Sequence, residues 1–227
     1  MRGQSLTRSP RADYPFAIPH KVSAPIPDIP GGSPVPETRV LINLSNRHIH
    51  VSKEDLEALF GAGHELTKTK DLVQPGQFAC EETVTIKGPK GEFKGVRILG
   101  PTRPETQCEI LASDQFKLGV PGCPTKESGQ LDGSFPMEIV GPAGTVKKAR
   151  GLIIAKRHVH FDPAAGERYG VKDKELVALR IPGERGAVFE NVVCRVNAAY
   201  ALECHLDFDE GNAVGIGNGS FGEIIKK

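Results

Sequence analysis

Two short stretches hold the residues best suited to chemistry. Ser45-Asn46-Arg47-His48-Ile49-His50-Val51 and Ala155-Lys156-Arg157-His158-Val159-His160-Phe161 are both Arg-His-aliphatic-His-apolar runs. Each follows an apolar segment, Val40 to Leu44 in one case and Gly151 to Ile154 in the other. Residues i and i+2 share one face of a strand but diverge on a helix, and the β-branched flanks favour a strand. His48 and His50 are therefore expected on one face and His158 and His160 on another, with Ile49 and Val159 turned into a core. Two imidazoles on one face can hold one metal ion. A single His-x-His is commonly chance or a solvated pair. Two copies in matching contexts, each with the same preceding arginine, carry the inference.

Each half of the chain offers one more ligand at a comparable place. Glu109 lies within Gln107-Cys108-Glu109-Ile110, and His205 within Glu203-Cys204-His205-Leu206. Both follow a cysteine and precede an aliphatic residue. Two three-ligand sites are expected: His48, His50 and Glu109, then His158, His160 and His205. Three protein ligands with open positions form the pattern of a catalytic zinc, and the imidazole-rich set suits that ion, with iron, copper or nickel as alternatives. Cys108 and Cys204, as strand neighbours of these ligands, point to the opposite face and read as core thiols. His64 and His20 are read as solvated.

Composition narrows the function classes. The chain has 227 residues, a net charge of +1, no tryptophan and 6% aromatic residues. Near-neutrality argues against a polyanion binder, and the scarcity of aromatic rings against base stacking on nucleic acid. Five cysteines without a C-x-x-C pair, no signal-type apolar region and no run of about 18 apolar residues point to a cytoplasmic protein with reduced thiols and no membrane span.

The elements that must position the ligands are short. Residues 1–38 carry eight prolines, Pro10 through Pro36, a density no helix tolerates. They read as a disordered, extended arm. Ser52 and Gly61 bracket a short helix whose Leu56, Leu59 and Phe60 form an apolar face. Lys68 to Lys70 reads as the start of a loop. Residues 80–87 and 92–99 form a hairpin about Gly88-Pro89-Lys90-Gly91, and a second hairpin covers 137–149. Asp162-Pro163 opens a second capped helix ending near Gly170. Strands are expected over 175–181, 188–196 and 202–208. The His-x-His copies lie 110 residues apart (158 − 48), and strand, His-x-His, capped helix and glycine recur in both halves. The fold class is mainly β: two small β-barrels related by an internal repeat, since closure removes exposed edges.

Taken in order, Ser-Asn-Arg-His-Ile-His, a Gly-Pro-x-Arg loop before Glu109, a second Arg-His-Val-His, and a late histidine followed by Asp-Glu-x-Asn-Ala resemble the PduL-type phosphotransacylase over residues 40–215. This family interconverts acyl-CoA (propionyl- or acetyl-CoA) and phosphate with acyl-phosphate and CoA in bacterial microcompartments. The resemblance implies two zinc ions per chain between interwoven barrels, one built from 39–46 with 156–227 and the other from 47–155. It implies that Arg103, stiffened between Pro101 and Pro104, clamps phosphate, and that Ser45, Lys70, Arg97 and Asn212 contact CoA. It further implies a homo-oligomer in the bacterial cytoplasm, inside a microcompartment whose shell or core the arm contacts. The arm departs from the amphipathic targeting helix common in that family. Two other readings stay open: a dimetal thioester or ester hydrolase, which would not depend on phosphate, and a non-catalytic metal-binding microcompartment module, which would not bind CoA.

Overall fold

The computed structural model describes residues 37–226, so the expectations for the arm up to residue 36, and for His20, lie outside the described residues. The chain opens with β1 (Arg39–Ser45) and passes at once into β2 (His48–His50), α1 (Lys53–Phe60), β3 (Lys68–Asp71), β4 (Phe78–Lys87) and β5 (Glu92–Gly100). β6 (Gln107–Ile110), α2 (Asp114–Leu118), β7 (Thr125–Lys126), β8 (Phe135–Val140) and β9 (Thr145–Ala155) complete that half. The second half holds β10 (His158–Phe161), α3 (Pro163–Tyr169), β11 (Leu176–Ile181), β12 (Ala187–Val196), β13 (Glu203–Asp207), α4 (Phe208–Val214) and β14 (Ser220–Ile225).

These strands make two closed six-stranded barrels, as the many short strands predict. In one, the order is β1-β13-β10-β12-β11-β14, with β14 returning to β1. In the other, β4-β5-β2-β6-β9 is closed by β8, which pairs with both β9 and β4, while β3 and β7 are appended outside the ring. β1 thus sits among strands from the far end of the sequence. It runs parallel to β13, with Asn43 opposite His205.

Each barrel has its own apolar interior. Ile49, Leu56, Leu59, Ile98 and Leu152 are buried together in one, and Ile42, Val159, Phe161, Tyr169 and Leu179 in the other. Cys108 and Cys204 are fully buried in these cores, on the face opposite their neighbours Glu109 and His205. The caps form as the sequence suggests: Ser52 accepts from the Asp55 N–H and Asp162 from the Ala165 N–H. Five elements differ from expectation. Residues 68–71 are a strand on the β4 edge rather than a loop, because an extended edge needs only ladder partners and tolerates a fully polar sequence. α2 and α4 are additional short helices, and β7 and β14 additional strands. α4 is fixed by a reciprocal Asp207/Glu210 capping box, which offsets its short length.

The arginine that precedes each His-x-His has a structural task. The Arg47 guanidinium donates to both carboxylate oxygens of Asp114 at 2.8 Å and lies over the Phe93 ring at 4.3 Å. Arg157 meets Glu210 at 2.7 Å and lies over Phe189 at 4.8 Å. The two acids stand five residues after Glu109 and His205 respectively (114 − 109 and 210 − 205). Each arginine therefore ties the start of its histidine strand to the short helix that follows the third ligand. Asp114 is 4% exposed, so removing its partner strands a buried carboxylate. Arg47→Ala is expected to lower stability by about 2–3 kcal/mol in denaturant unfolding, and Arg47→Lys to restore only part of it, because an ammonium cannot reproduce the planar fork.

Candidate metal centres and the cavity between the barrels

Strand register converts the sequence spacing into two clusters. β2 runs antiparallel to β6 with His48 opposite Glu109 and His50 opposite Gln107. β10 runs antiparallel to β13 with His158 opposite His205 and His160 opposite Glu203. The two sites are thus one pattern used twice. In each cluster the ligand atoms of three residues lie within 4.8 Å of one another: His48, His50 and Glu109, and His158, His160 and His205. A tetrahedral zinc holds such donors about 3.4 Å apart, so modest side-chain movement gathers either trio.

The rings are set to offer lone pairs. Nδ1 of His48 faces the Asn46 carbonyl at 2.8 Å, Nδ1 of His50 the Leu99 carbonyl at 3.0 Å, and Nδ1 of His158 the Lys156 carbonyl at 2.9 Å. A carbonyl only accepts, so Nδ1 carries the proton and Nε2 is left as a donor to a cation. His205 is reversed: its Nε2 faces a Glu203 oxygen at 2.9 Å, which leaves Nδ1. His160 is 5% exposed, and neither ring nitrogen has a hydrogen-bond partner. An unsatisfied buried nitrogen costs about 1–3 kcal/mol, and a metal ion at this trio removes that cost. Burial holds the pKa of His50 and His158 well below the ordinary range, with neighbouring cations and imidazoles adding to the effect. His160 is pushed down to about 3, by burial first and then by His205 and Arg195. All three are neutral at pH 7, the form a metal requires. The residues present fit two metal ions.

A second layer orients the third ligands, and it too is repeated. Gln107 donates from Nε2 to Glu109 at 2.6 Å and to Ser128 Oγ at 2.9 Å. At the equivalent position Glu203, 3% exposed, accepts from His205. It also accepts from Gln74 Nε2 at 2.7 Å and from Asn43 Nδ2 at 2.6 Å. Burial alone would raise the Glu203 pKa, but His205 and these amide donors bring it down to about 2. Gln74 belongs to the β3–β4 loop and also donates to the Ala201 carbonyl at 3.0 Å, so this network pins one barrel to the other.

Both clusters open on a single cavity of about 660 Å³ lined by residues of both barrels. Arg103 lines it. Its backbone N–H donates to the Val51 carbonyl at 2.9 Å, and its guanidinium to Ser128 Oγ at 3.0 Å. Ser45, Lys70 and Arg97 also line it, Arg97 resting on the carbonyls of Cys80 and Glu81. Asn212 does not; it is exposed on α4, and the lining residue of that helix is Glu210. His64, expected to be solvated, is half-buried: it stacks on Phe60 and meets Glu82 at 3.0 Å. Sequence reasoning passed over Gln74, Ser128, Arg195 and Tyr200. Arg195 had a signal, a charge inside the apolar stretch Val192–Val196 of β12. Gln74 and Ser128 sit in loops without pattern.

Comparison with known proteins places this geometry. The family model for phosphate propanoyltransferase matches residues 41–217. A phosphate propanoyltransferase of Thermotoga maritima is 49% identical over 191 residues, 84% of this chain and 90% of its own length. One from Priestia megaterium is 51% identical over 180 residues, covering 79% and 82%. One from Clostridioides difficile is 46% identical over 191 residues, covering 84% and 91%. If the His158 trio holds its own ion, a variant lacking His158 and His160, loaded with zinc and desalted, will retain about one ion per chain fewer than the parent by elemental analysis. Unchanged stoichiometry would refute the ligand set.

Proposed function

We propose that this chain, which belongs to the phosphate propanoyltransferase family, exchanges an acyl group between CoA and inorganic phosphate, using two zinc ions and Arg103. The observation that carries the reading is the convergence of two histidine-rich clusters and the Arg103 guanidinium, hydrogen-bonded to a neutral serine hydroxyl, on one cavity. Zinc bound at His48, His50, Glu109 and at His158, His160, His205 would supply Lewis acidity for the acyl carbonyl and a soft partner for the departing sulfur.

The chain's own residues do the rest. Arg103 binds phosphate through its fork of donors, held in place by the Ser128 hydroxyl and its own backbone bond to Val51. A phosphate oxygen attacks the thioester carbonyl carbon, the C–S bond breaks, and sulfur leaves with the electron pair as the CoA thiolate. No protein nucleophile takes part, so rate comes from positioning and charge stabilisation. Lys70 and Arg97, at the cavity wall, and Ser45 meet the phosphates and polar groups of CoA. Asn212 reaches CoA only where the ligand extends beyond the cavity.

Propionyl- or acetyl-CoA is the substrate class, and the reading extends to a homo-oligomeric bacterial enzyme housed in a microcompartment, with the arm as its contact to shell or core. We also take 39–46 with 156–227 as one domain and 47–155 as the other. No helix among the described residues is long and apolar enough to cross a membrane. The test is thiol release from propionyl- and acetyl-CoA with and without phosphate. Release is expected to require phosphate and to yield the acyl-phosphate; phosphate-independent release of free acid would identify a hydrolase instead. Arg103→Ala is expected to lower kcat/KM by about a hundredfold with both metals retained.

A further inference from the structure

The cavity wall holds four arginines besides Arg103, two of them paired with carboxylates and a third, Arg97, assigned above to CoA. Arg47 is held by Asp114, Arg157 by Glu210, and Arg97 by two backbone carbonyls. Arg195 is different. Among the described residues no carboxylate lies within ion-pair distance of it. The hydrogen bond its guanidinium makes is to a neutral group, the Tyr200 hydroxyl, at 3.1 Å. It is only partly exposed, so water screens its charge incompletely. Arg103 likewise hydrogen-bonds a neutral group, the Ser128 hydroxyl, with the Glu109 carboxylate near enough to act on its charge. Burial lowers the Arg103 pKa; the nearby Glu109 carboxylate opposes that shift and the charge of Arg195 adds to it.

The internal repeat places one arginine beside a paired histidine in each barrel, but at different positions. β2 pairs with β5 so that His48 faces Arg97 and Ile49 faces Ile98; continuing that register puts Leu99 beside His50. β10 pairs with β12 so that His158 faces Val193 and His160 faces Arg195. Where one barrel places an apolar residue beside its second histidine, the other places a guanidinium. The Arg195 guanidinium thus lines a cavity that already holds Arg103. Two like charges facing one space are mutually repulsive until a dianion lies between them.

We propose that Arg195 is a second phosphate-binding residue, which together with Arg103 holds the inorganic phosphate dianion, or the phosphoryl end of the acyl-phosphate product, on the His158–His160–His205 side of the cavity. The proposal rests on the acyl-exchange reading above. A phosphate dianion offers three equivalent oxygens, enough acceptors for two guanidinium forks, whereas a CoA thioester carbonyl offers one. The ring of Tyr200 stacks on His160 at 4.2 Å and its hydroxyl holds Arg195, so the guanidinium is positioned by the same wall that carries the metal ligand.

The test separates phosphate from thioester kinetics. Arg195→Gln is expected to raise the KM for phosphate by roughly tenfold to a hundredfold. The KM for propionyl-CoA should move by less than about threefold and metal content per chain should be unchanged. Arg195→Lys should recover part of the phosphate affinity. Tyr200→Phe, which removes the hydrogen bond but keeps the guanidinium, should shift the phosphate KM far less than Arg195→Gln does. Calorimetry of phosphate binding to the zinc-loaded protein should show the same loss. An unchanged phosphate KM in Arg195→Gln, a Tyr200→Phe variant that reproduces its effect, or loss of metal with equal damage to both substrates would each overturn the assignment. Phosphate-independent thiol release by the parent protein would instead refute the acyl-exchange reading on which it rests.

Discussion

Antiparallel pairing in one register is the constraint on which both metal clusters depend. Because side chains alternate along a strand, His48 and His50 share a face only while β2 stays extended, and Glu109 joins them only while it stands opposite His48. A slip of one residue would turn Cys108 toward the histidines and Glu109 into the core. Burial of Ile49, Val159, Cys108 and Cys204 forbids that slip. The apolar face of each strand thereby guarantees the chemistry of the polar one. The same coupling explains why the sequence around each third ligand reads polar-Cys-ligand-aliphatic.

The duplication also shows how far one scaffold can be varied. Gln107 and Glu203 occupy the same register position and serve the same end, holding the residue two places on, but with donor and acceptor exchanged. A carboxylate ligand needs a donor behind it and an imidazole ligand needs an acceptor. The partner has changed together with the ligand. The result is one cluster with a negative charge and one with none among its three ligands, facing a common space.

Local pattern was enough for much of this. The His-x-His spacing, the hairpin turns at Gly88–Gly91 and Gly141–Gly144, the Ser52 and Asp162 caps and the buried cysteines were all legible, since each depends on neighbours within a few residues. That Glu109 and His205 cluster with the paired histidines was legible only because the repeat allowed one half to be read against the other. What stayed hidden depends on contacts distant in sequence. Gln74 reaches Glu203 across 129 positions, and nothing near Gln74 announces it. The polar edge strand β3 lacks the alternation that reveals strands with a buried face, and α2 and α4 are too short for a helical period to register. His64 looked solvated because its partner Glu82 lies on a strand 18 residues away.

The placement of β1 carries a consequence for the order of events during synthesis. This strand emerges from the ribosome first among the described elements, yet the strands on either side of it, β13 and β14, emerge last. The barrel drawn from β2 to β9 can close while translation continues, whereas its companion must wait with an unpaired N-terminal edge until nearly the whole chain has appeared. Ile42, one of that core's largest buried side chains, stays exposed to water and to other nascent chains for the interval. Because Asn43 of the same strand supports Glu203 behind His205, the second histidine cluster can assemble only after that late closure.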